Sequence, residues 1–249
     1  MSRRARFRLR RISAVIIAAL AFAALILTNP KSYEYASLLG FTGDNLPDYR
    51  AEQSKADSLL AKDVLENLAV KDKYTAQKYY RKAFYDNWGT TASGCNTREA
   101  ILARDLTNIE YKPGSCKVAS GTLIDPYTGQ TIQFVRGEST SSAVQIDHVV
   151  ALSNAWASGA GLLDEATRYE ISQDPLNLLA VDGPANQEKS DQAADTWLPS
   201  NEAFRCQYVA RQISVKYKYQ LWVTPAEKLA MQKVLATCPD EPTRGLENQ

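Results

Sequence analysis

The sequence predicts an α+β domain in which helices surround a small antiparallel sheet. Three observations carry this prediction: apolar residues at helical spacing near both ends of the domain, two short β-type runs flanking Asp125-Pro126-Tyr127-Thr128-Gly129, and a strand, excursion, strand, turn, helix order between residues 142 and 194. At 249 residues with 45% hydrophobic content the chain has enough apolar material for one full core, and no internal repeat divides it.

The first eleven residues hold six arginines and no acid, and the run from Ile12 to Leu27 is apolar except for Ser13. A basic flank before an apolar run makes residues 1–30 an export signal or a membrane anchor. The run lies between a signal-peptide core and the roughly 17 to 25 residues of a spanning helix, so export is preferred and retention on the outer face of the membrane is the alternative. Residues 31–56, broken by Gly40, Gly43 and Pro47, read as a linker or arm, residues 57–240 as the folded domain and residues 241–249 as a flexible tail. Without the leader arginines the 29 basic residues fall to 23 against 28 acidic ones, a net of −5. That balance excludes a generally polyanion-binding surface, and any grip on nucleic acid must come from a local basic patch.

Leu60, Val64 and Leu68, with Leu65 beside them, recur at helical spacing among Asp57, Lys62, Asp63 and Glu66, which predicts an amphipathic helix. The stretch from Tyr79 to Trp88 is aromatic and basic, and 89–94 reads as a loop into Cys95. Thr97 is placed to cap a helix from Arg98 to about Asn108 with Ile101, Leu102 and Leu106 inward. Strands are expected over 117–124 and 130–136, joined by the proline and glycine turn at 125–129. A short strand over 142–146 then delivers Asp147 and His148 to its end, followed by helices over 152–158 and 164–172. Leu176 to Val181 reads as a strand, Asp182-Gly183-Pro184 as a turn, and Ala185 to Ala194 as a helix with Asn186 and Lys189 on one side. Phe204 to Tyr219 suits a long helix. Thr224-Pro225-Ala226-Glu227 carries a cap, a first-turn proline and a glutamate at the third position, opening a helix to about Ala236.

Four cysteines in an exported chain point to two disulfides, for which three connectivities exist. Cys95 with Cys116 and Cys206 with Cys238 are preferred, since each pair brackets a compact stretch and leaves the segment between them uncrosslinked. Zinc is disfavoured, because no Cys-x-x-Cys occurs and His148 is the sole histidine.

The chemistry centres on Ile146-Asp147-His148-Val149-Val150. Hydrolysing a phosphodiester needs an activated water and neutralisation of charge on the phosphorus oxygens. A lone imidazole at a strand end can take the water's proton. A hard cation such as Mg or Mn accepts oxygen ligands from Asp147 and from the amide of Asn186 while keeping several waters. Asn177 fits a role in bonding backbone and fixing the loop that carries His148. Lys189 lies on the face of Asn186 and is a candidate phosphate contact oriented by Asp191. Arg81, Arg98 and Arg104 are further candidate phosphate contacts, each with structural ion pairing as its competing role. Tyr79, Tyr80, Phe84 and Trp88 can stack on bases or fill the core, and Trp156, Trp197 and Trp222 read as core.

The segment from Asp147 to Asp191, with Asp147-His148-Val149-Val150, Asn177-Leu178-Leu179 and Asn186-Gln187-Glu188-Lys189, resembles the HNH, or ββα-metal, endonuclease core. More closely, Leu65 to Cys238 is similar to an exported actinobacterial HNH endonuclease family related to the modification-dependent GmrSD nucleases. Supporting runs include Cys95-Asn96-Thr97-Arg98, Asp125-Pro126-Tyr127-Thr128-Gly129, Ala155-Trp156 and Trp197-Leu198-Pro199. The resemblance implies a metal-dependent nuclease with His148 as general base, Asp147 and Asn186 on the metal, Asn177 as loop support, and nucleic acid, DNA foremost, as substrate. The chain departs from the family's commoner pattern at Ala151, where a proline often stands, and at Ser190, where a glycine often follows the lysine. Two other functions remain open on sequence grounds: a catalytically silent, disulfide-stapled envelope binding domain, and a phosphodiesterase of non-nucleic-acid substrates, which the acidic balance suits.

Overall fold

The computed structural model describes residues 59–137 and 141–246. The leader and the linker expected from sequence, residues 1–56, lie outside the described residues. Among the described residues, no helix is long and apolar enough to cross a membrane.

Helix α1 (Ala61–Asn67) opens this part of the chain and buries Val64 and Leu65, the residues whose spacing predicts it. Helix α2 spans Thr97–Asp105. Its cap is Asn96 rather than Thr97: the Asn96 Oδ1 accepts from the Arg98 amide at 2.8 Å, while the Thr97 hydroxyl donates to the Gly89 carbonyl at 3.1 Å. The helix ends three residues earlier than expected, because Leu106 is extended (φ −91°, ψ 153°) and leads into strand β1 (Thr107–Tyr111). That strand has no sequence signature, since its side chains are almost all exposed and show no apolar alternation.

Strands β2 (Val118–Ile124) and β3 (Thr131–Val135) form the expected hairpin, and β1 adds to it in the order β1-β2-β3, all antiparallel. Gly129, at φ +75°, turns the chain between them. The second sheet has two strands, β4 (Val144–His148) and β5 (Leu178–Asp182), antiparallel with Asp147 opposite Leu179 and His148 opposite Leu178. Between them lie α3 (Leu152–Ala157) and α4 (Glu165–Gln173), the latter capped by Asp164. Ala151, before α3, has φ −53°, the value a proline ring would impose, so the departure from the family pattern leaves the backbone unchanged.

Helix α5 (Gly183–Lys189) follows β5 directly, with the Asp182 side chain accepting from the Ala185 amide. Strand, strand and helix thus form the ββα unit. The helix stops well short of Ala194 because Ser190 adopts φ 49°, ψ −122°, a conformation suited to glycine. Helices α6 (Arg205–Lys218) and α7 (Pro225–Leu235) close the domain, α7 with the full Thr224/Glu227 capping box. The disulfides join Cys95 to Cys116 and Cys206 to Cys238, with Cα separations of 6.0 and 6.4 Å. Residues 241–246, expected to begin a free tail, are packed: the Thr243 amide bonds the Leu59 carbonyl at 2.8 Å, and Thr243 and Leu246 are buried.

Three apolar clusters hold these pieces. One lies between the two sheets and α2, around Leu102, Phe134, Ile146 and Leu178. A second joins α1, α6 and α7 to the opposite face of the ββα unit through Leu179 and Val181. The third gathers Phe84, Trp156 and Ile171 under the segment that precedes α2. The β4–β5 pair is therefore packed on both faces: Asp147 and His148 are buried, and its half-exposed residues are Gln145 and Asp182, at the other end of the pair.

Two stability outcomes follow. Ser190→Gly relieves a side chain held in a glycine-favoured conformation and is expected to raise unfolding free energy by about 1 kcal/mol, read from urea denaturation. Replacing Cys206 and Cys238 together by alanine opens a loop of sequence separation 32 and is expected to cost about 2–4 kcal/mol, read the same way.

Candidate active site

Asp147, His148 and Asn186 line one open cleft of about 640 Å³, together with Arg81, Tyr79 and Gln145. Strand β4 delivers the first two from its end, and α5 brings Asn186 alongside. Gln145 is two residues before Asp147 on the same strand, and its Oε1 accepts from the Asn186 Nδ2 at 2.9 Å. This bond directs the amide of Asn186 and leaves its carbonyl oxygen as an acceptor. Period-2 alternation along β4 is the sequence signal that would have picked out Gln145.

His148 is 6% exposed. Its Nε2 lies 2.9 Å from the Ser172 carbonyl, which can only accept, so the proton sits on Nε2 and the lone pair on Nδ1. The ring is stacked on Trp88, with centroids 5.8 Å apart and planes 9° from parallel, and flanked by Tyr85. Its pKa is lowered to about 3, chiefly by burial among these rings; the Ser172 carbonyl works against the drop, and Arg81 and Lys189 add to it. The imidazole is therefore unprotonated at neutral pH. Asn177, fully buried, fixes the backbone behind it: its Oδ1 accepts from the Val150 amide at 2.8 Å, and its Nδ2 donates to the carbonyls of Val150 and Ile171.

The Asp147 carboxylate has two partners. The Lys189 ammonium donates to Oδ1 at 3.0 Å, and the Tyr127 hydroxyl donates to Oδ2 at 2.5 Å. Desolvation raises the carboxyl pKa, while Lys189 and Tyr127 oppose the rise. The net shift is upward, and the buried ammonium 3.0 Å away limits it by favouring the charged form. Lys189 is wholly buried and also donates to the His148 carbonyl. It is thus not open to a phosphate, and Asp191 does not orient it: within the cleft Asp191 contacts Ser153 at 3.4 Å.

The other expected phosphate contacts separate. Arg81 lines the cleft and bonds the Tyr85 hydroxyl. Arg98 donates to the Val144 carbonyl, at the far end of β4 from the site. Arg104 is paired with Asp105 and donates to the carbonyls of Pro175 and Leu178. Both act as structural ties between α2 and the ββα unit. Tyr127 carried no local signal of a role here, because a tyrosine inside a turn motif gives no hint of the carboxylate it reaches.

Among the described residues no group of three or more His, Cys, Asp and Glu side chains is placed to hold a metal ion, so a soft-metal or zinc centre has no ligand set there. A hard cation has a smaller requirement. Each carboxylate oxygen carries two lone pairs, so Asp147 keeps capacity beyond Lys189 and Tyr127, and the Asn186 carbonyl oxygen adds a second neutral donor. These oxygens suit a magnesium-like ion that retains most of its waters.

The family model described as "GmrSD restriction endonucleases, C-terminal domain" matches residues 96–234, which hold both sheets and the whole cleft except Tyr79 and Arg81. A protein of Arthroderma benhamiae described as "Uncharacterized secreted protein" is 40% identical over 180 residues, covering 72% of this chain and 84% of the relative. No solved structure matches. With more than half its length under that family model and a relative of this identity over most of both chains, the protein belongs to the GmrSD restriction endonuclease C-terminal domain family.

Proposed function

We propose that the protein is an exported, metal-dependent nuclease that hydrolyses phosphodiester bonds in nucleic acid, DNA foremost, with His148 as general base. The observation that carries this reading is the imidazole itself: neutral, oriented by the Ser172 carbonyl, and lining an open cleft beside Asp147 and Asn186. Export is supported by the arginine-flanked apolar leader and by the secreted description of the relative.

In this mechanism the Nδ1 lone pair takes a proton from water as the water oxygen bonds to phosphorus. The opposite P–O bond breaks, and its oxygen leaves with a proton from solvent. Trp88, Tyr85 and Asn177 hold the ring and its loop so that no reorientation is needed during the step. Asp147 and Asn186 would hold a Mg or Mn ion, whose chemistry is to neutralise charge on the phosphate oxygens. Lys189 and Tyr127 hold the Asp147 carboxylate in place and favour its charged form, which makes them positioning residues. Arg81 offers a guanidinium to a phosphate entering the cleft.

A second reading is favoured by one observation: both Asp147 oxygens already carry hydrogen bonds, as they would in a silent binding domain whose ion pair is purely structural. Plasmid cleavage separates the two. The full-length chain, folded under oxidising conditions, is expected to nick plasmid with Mg or Mn. Chelator should stop the reaction, and His148→Ala should lower the rate at least 100-fold, in the range for loss of a general base. A folded, disulfide-intact protein that neither cleaves nor binds Mg or Mn by calorimetry would make the silent domain correct.

The depressed pKa of His148 also has a stability consequence. Between the ordinary value of 6.5 and about 3 the unfolded chain binds a proton at this residue that the folded chain refuses, so stability falls as pH drops through that window. The slope contributed is about 1.4 kcal/mol per pH unit in mid-window. Urea unfolding of the wild type between pH 6 and pH 4 is expected to lose stability faster than His148→Asn by that amount.

A further inference from the structure

The segment 71–82 is the basic patch that an otherwise acidic domain needs. It holds Lys71, Lys73, Lys78, Arg81 and Lys82 against one acid, Asp72, in a chain whose remainder beyond the leader is richer in acids than bases. All five cations are exposed. The segment has no regular structure before the short turn at Arg81–Ala83, yet its backbone is tied down along its length. The Trp222 indole donates to the Asp72 carbonyl at 3.1 Å, and the Trp156 indole donates to the Gln77 carbonyl at 3.0 Å. The Tyr74 amide bonds the Ala157 carbonyl at 2.8 Å, and the Tyr74 ring fits so closely over Gly161 that an added Cβ would lie 2.8 Å from it. Inward bonds thus hold the backbone at several points. Lys73 and Lys78 face water, Lys82 pairs with Asp86 at 3.5 Å with both side chains exposed, Lys71 lies over the Trp222 ring, and Arg81 bonds the Tyr85 hydroxyl.

The strap ends at the cleft, where Tyr79 and Arg81 form part of the wall. Between them Tyr80 exposes 59% of its surface. It is held edge-on against Trp156 with centroids 5.8 Å apart, so its remaining surface is rigid and available. Rigid exposed aromatic surface among cations is the arrangement that binds an unpaired strand, with bases on rings and phosphates on ammonium groups. A duplex offers no base face to such a ring. Among the described residues Arg81 is the only Lys or Arg lining the cleft, which leaves little there to hold the double row of phosphates of a duplex.

We infer that the strap 71–82 is a track for a single, unpaired nucleic-acid strand, with Lys73, Lys78 and Lys82 on its phosphates and Tyr80 stacking on a base, feeding the strand towards His148. The inference rests on the nuclease reading of the cleft, but its test does not require cleavage. Binding of a labelled 16-nucleotide DNA strand and of its duplex to the full-length chain in chelator is followed by fluorescence anisotropy. The single strand is expected to bind at least 10-fold tighter. K73E/K78E/K82E is expected to reduce the slope of log K against log salt by about 2, at about 0.7 per lost phosphate contact on a single strand. Tyr80→Ala is expected to weaken binding about 5- to 150-fold, the span of one base stack, while Tyr80→Phe restores it. Lys112→Glu with Lys233→Glu, away from the strap, serves as the charge control and is expected to leave the slope unchanged. Equal or tighter duplex binding, no binding of either probe, or strap variants that bind as the wild type would each overturn the inference. Plasmid cleavage with binding that strap substitutions do not alter would count against the strap alone. Strap-dependent binding without cleavage of the bound single strand when Mg or Mn replaces the chelator would count against the nuclease reading alone.

Discussion

The Lys189–Asp147 ion pair is the interaction on which the rest of the site depends. It joins the last turn of α5 to the end of β4 with both groups out of water. A lysine removed from solvent is tolerable only with its charge answered, and removing one partner of such a pair commonly costs about 3–5 kcal/mol. The same ammonium holds the His148 carbonyl, so one cation sets both the carboxylate and the backbone of the histidine. Tyr127 extends the connection to the three-stranded sheet, because its hydroxyl ends on the other carboxylate oxygen and its ring sits between Trp197 and Tyr208. Asp125, in the same turn, accepts from the Asp182 amide at 2.8 Å, and Asp182 in turn caps α5. Turn, strand end and helix start are thereby positioned by a chain of buried acceptors.

The imidazole is held by a different device. Its orientation comes from a single carbonyl, and its neutrality comes from aromatic walls supplied by Tyr85 and Trp88. The segment carrying those rings is anchored at its far end by Cys95–Cys116, and next to Trp88 by the Gly89 amide bonded to the Gln173 side chain at 2.8 Å. Disulfide, strap and aromatic walls thus belong to one piece of chain laid across the ββα unit. An acidic domain can hold a polyanion if its cations are gathered on such a piece, because screening confines the repulsion of distant acids to roughly 10 Å.

Much of the fold was legible because it is local. The hairpin about Asp125 to Gly129, the capping box at Thr224 and the delivery of Asp147 and His148 by a strand end all depend on residues within a few positions of one another. The α2 boundary and strand β1 were not legible, since an exposed strand has no apolar alternation and its pairing partner decides its existence. In the site, the sequence placed Asp147, His148, Asn177 and Asn186 together. It misassigned Lys189, because a lysine about one turn from Asn186 looks the same whether it points to solvent or to a carboxylate.

What the sequence determined by itself was the order of the elements apart from β1, the residue types able to do the chemistry and the preferred cysteine pairing, all consequences of short-range spacing. What only the tertiary structure decided was where each charge ends. Lys189 reaches Asp147 across 42 positions, Tyr127 across 20, and His148 finds its carbonyl 24 residues away. Arg98 and Arg104 likewise turn to backbone carbonyls of distant strands and loops. Burial makes an unanswered charge expensive, so packing selects the partner, and packing brings together residues that no local pattern connects.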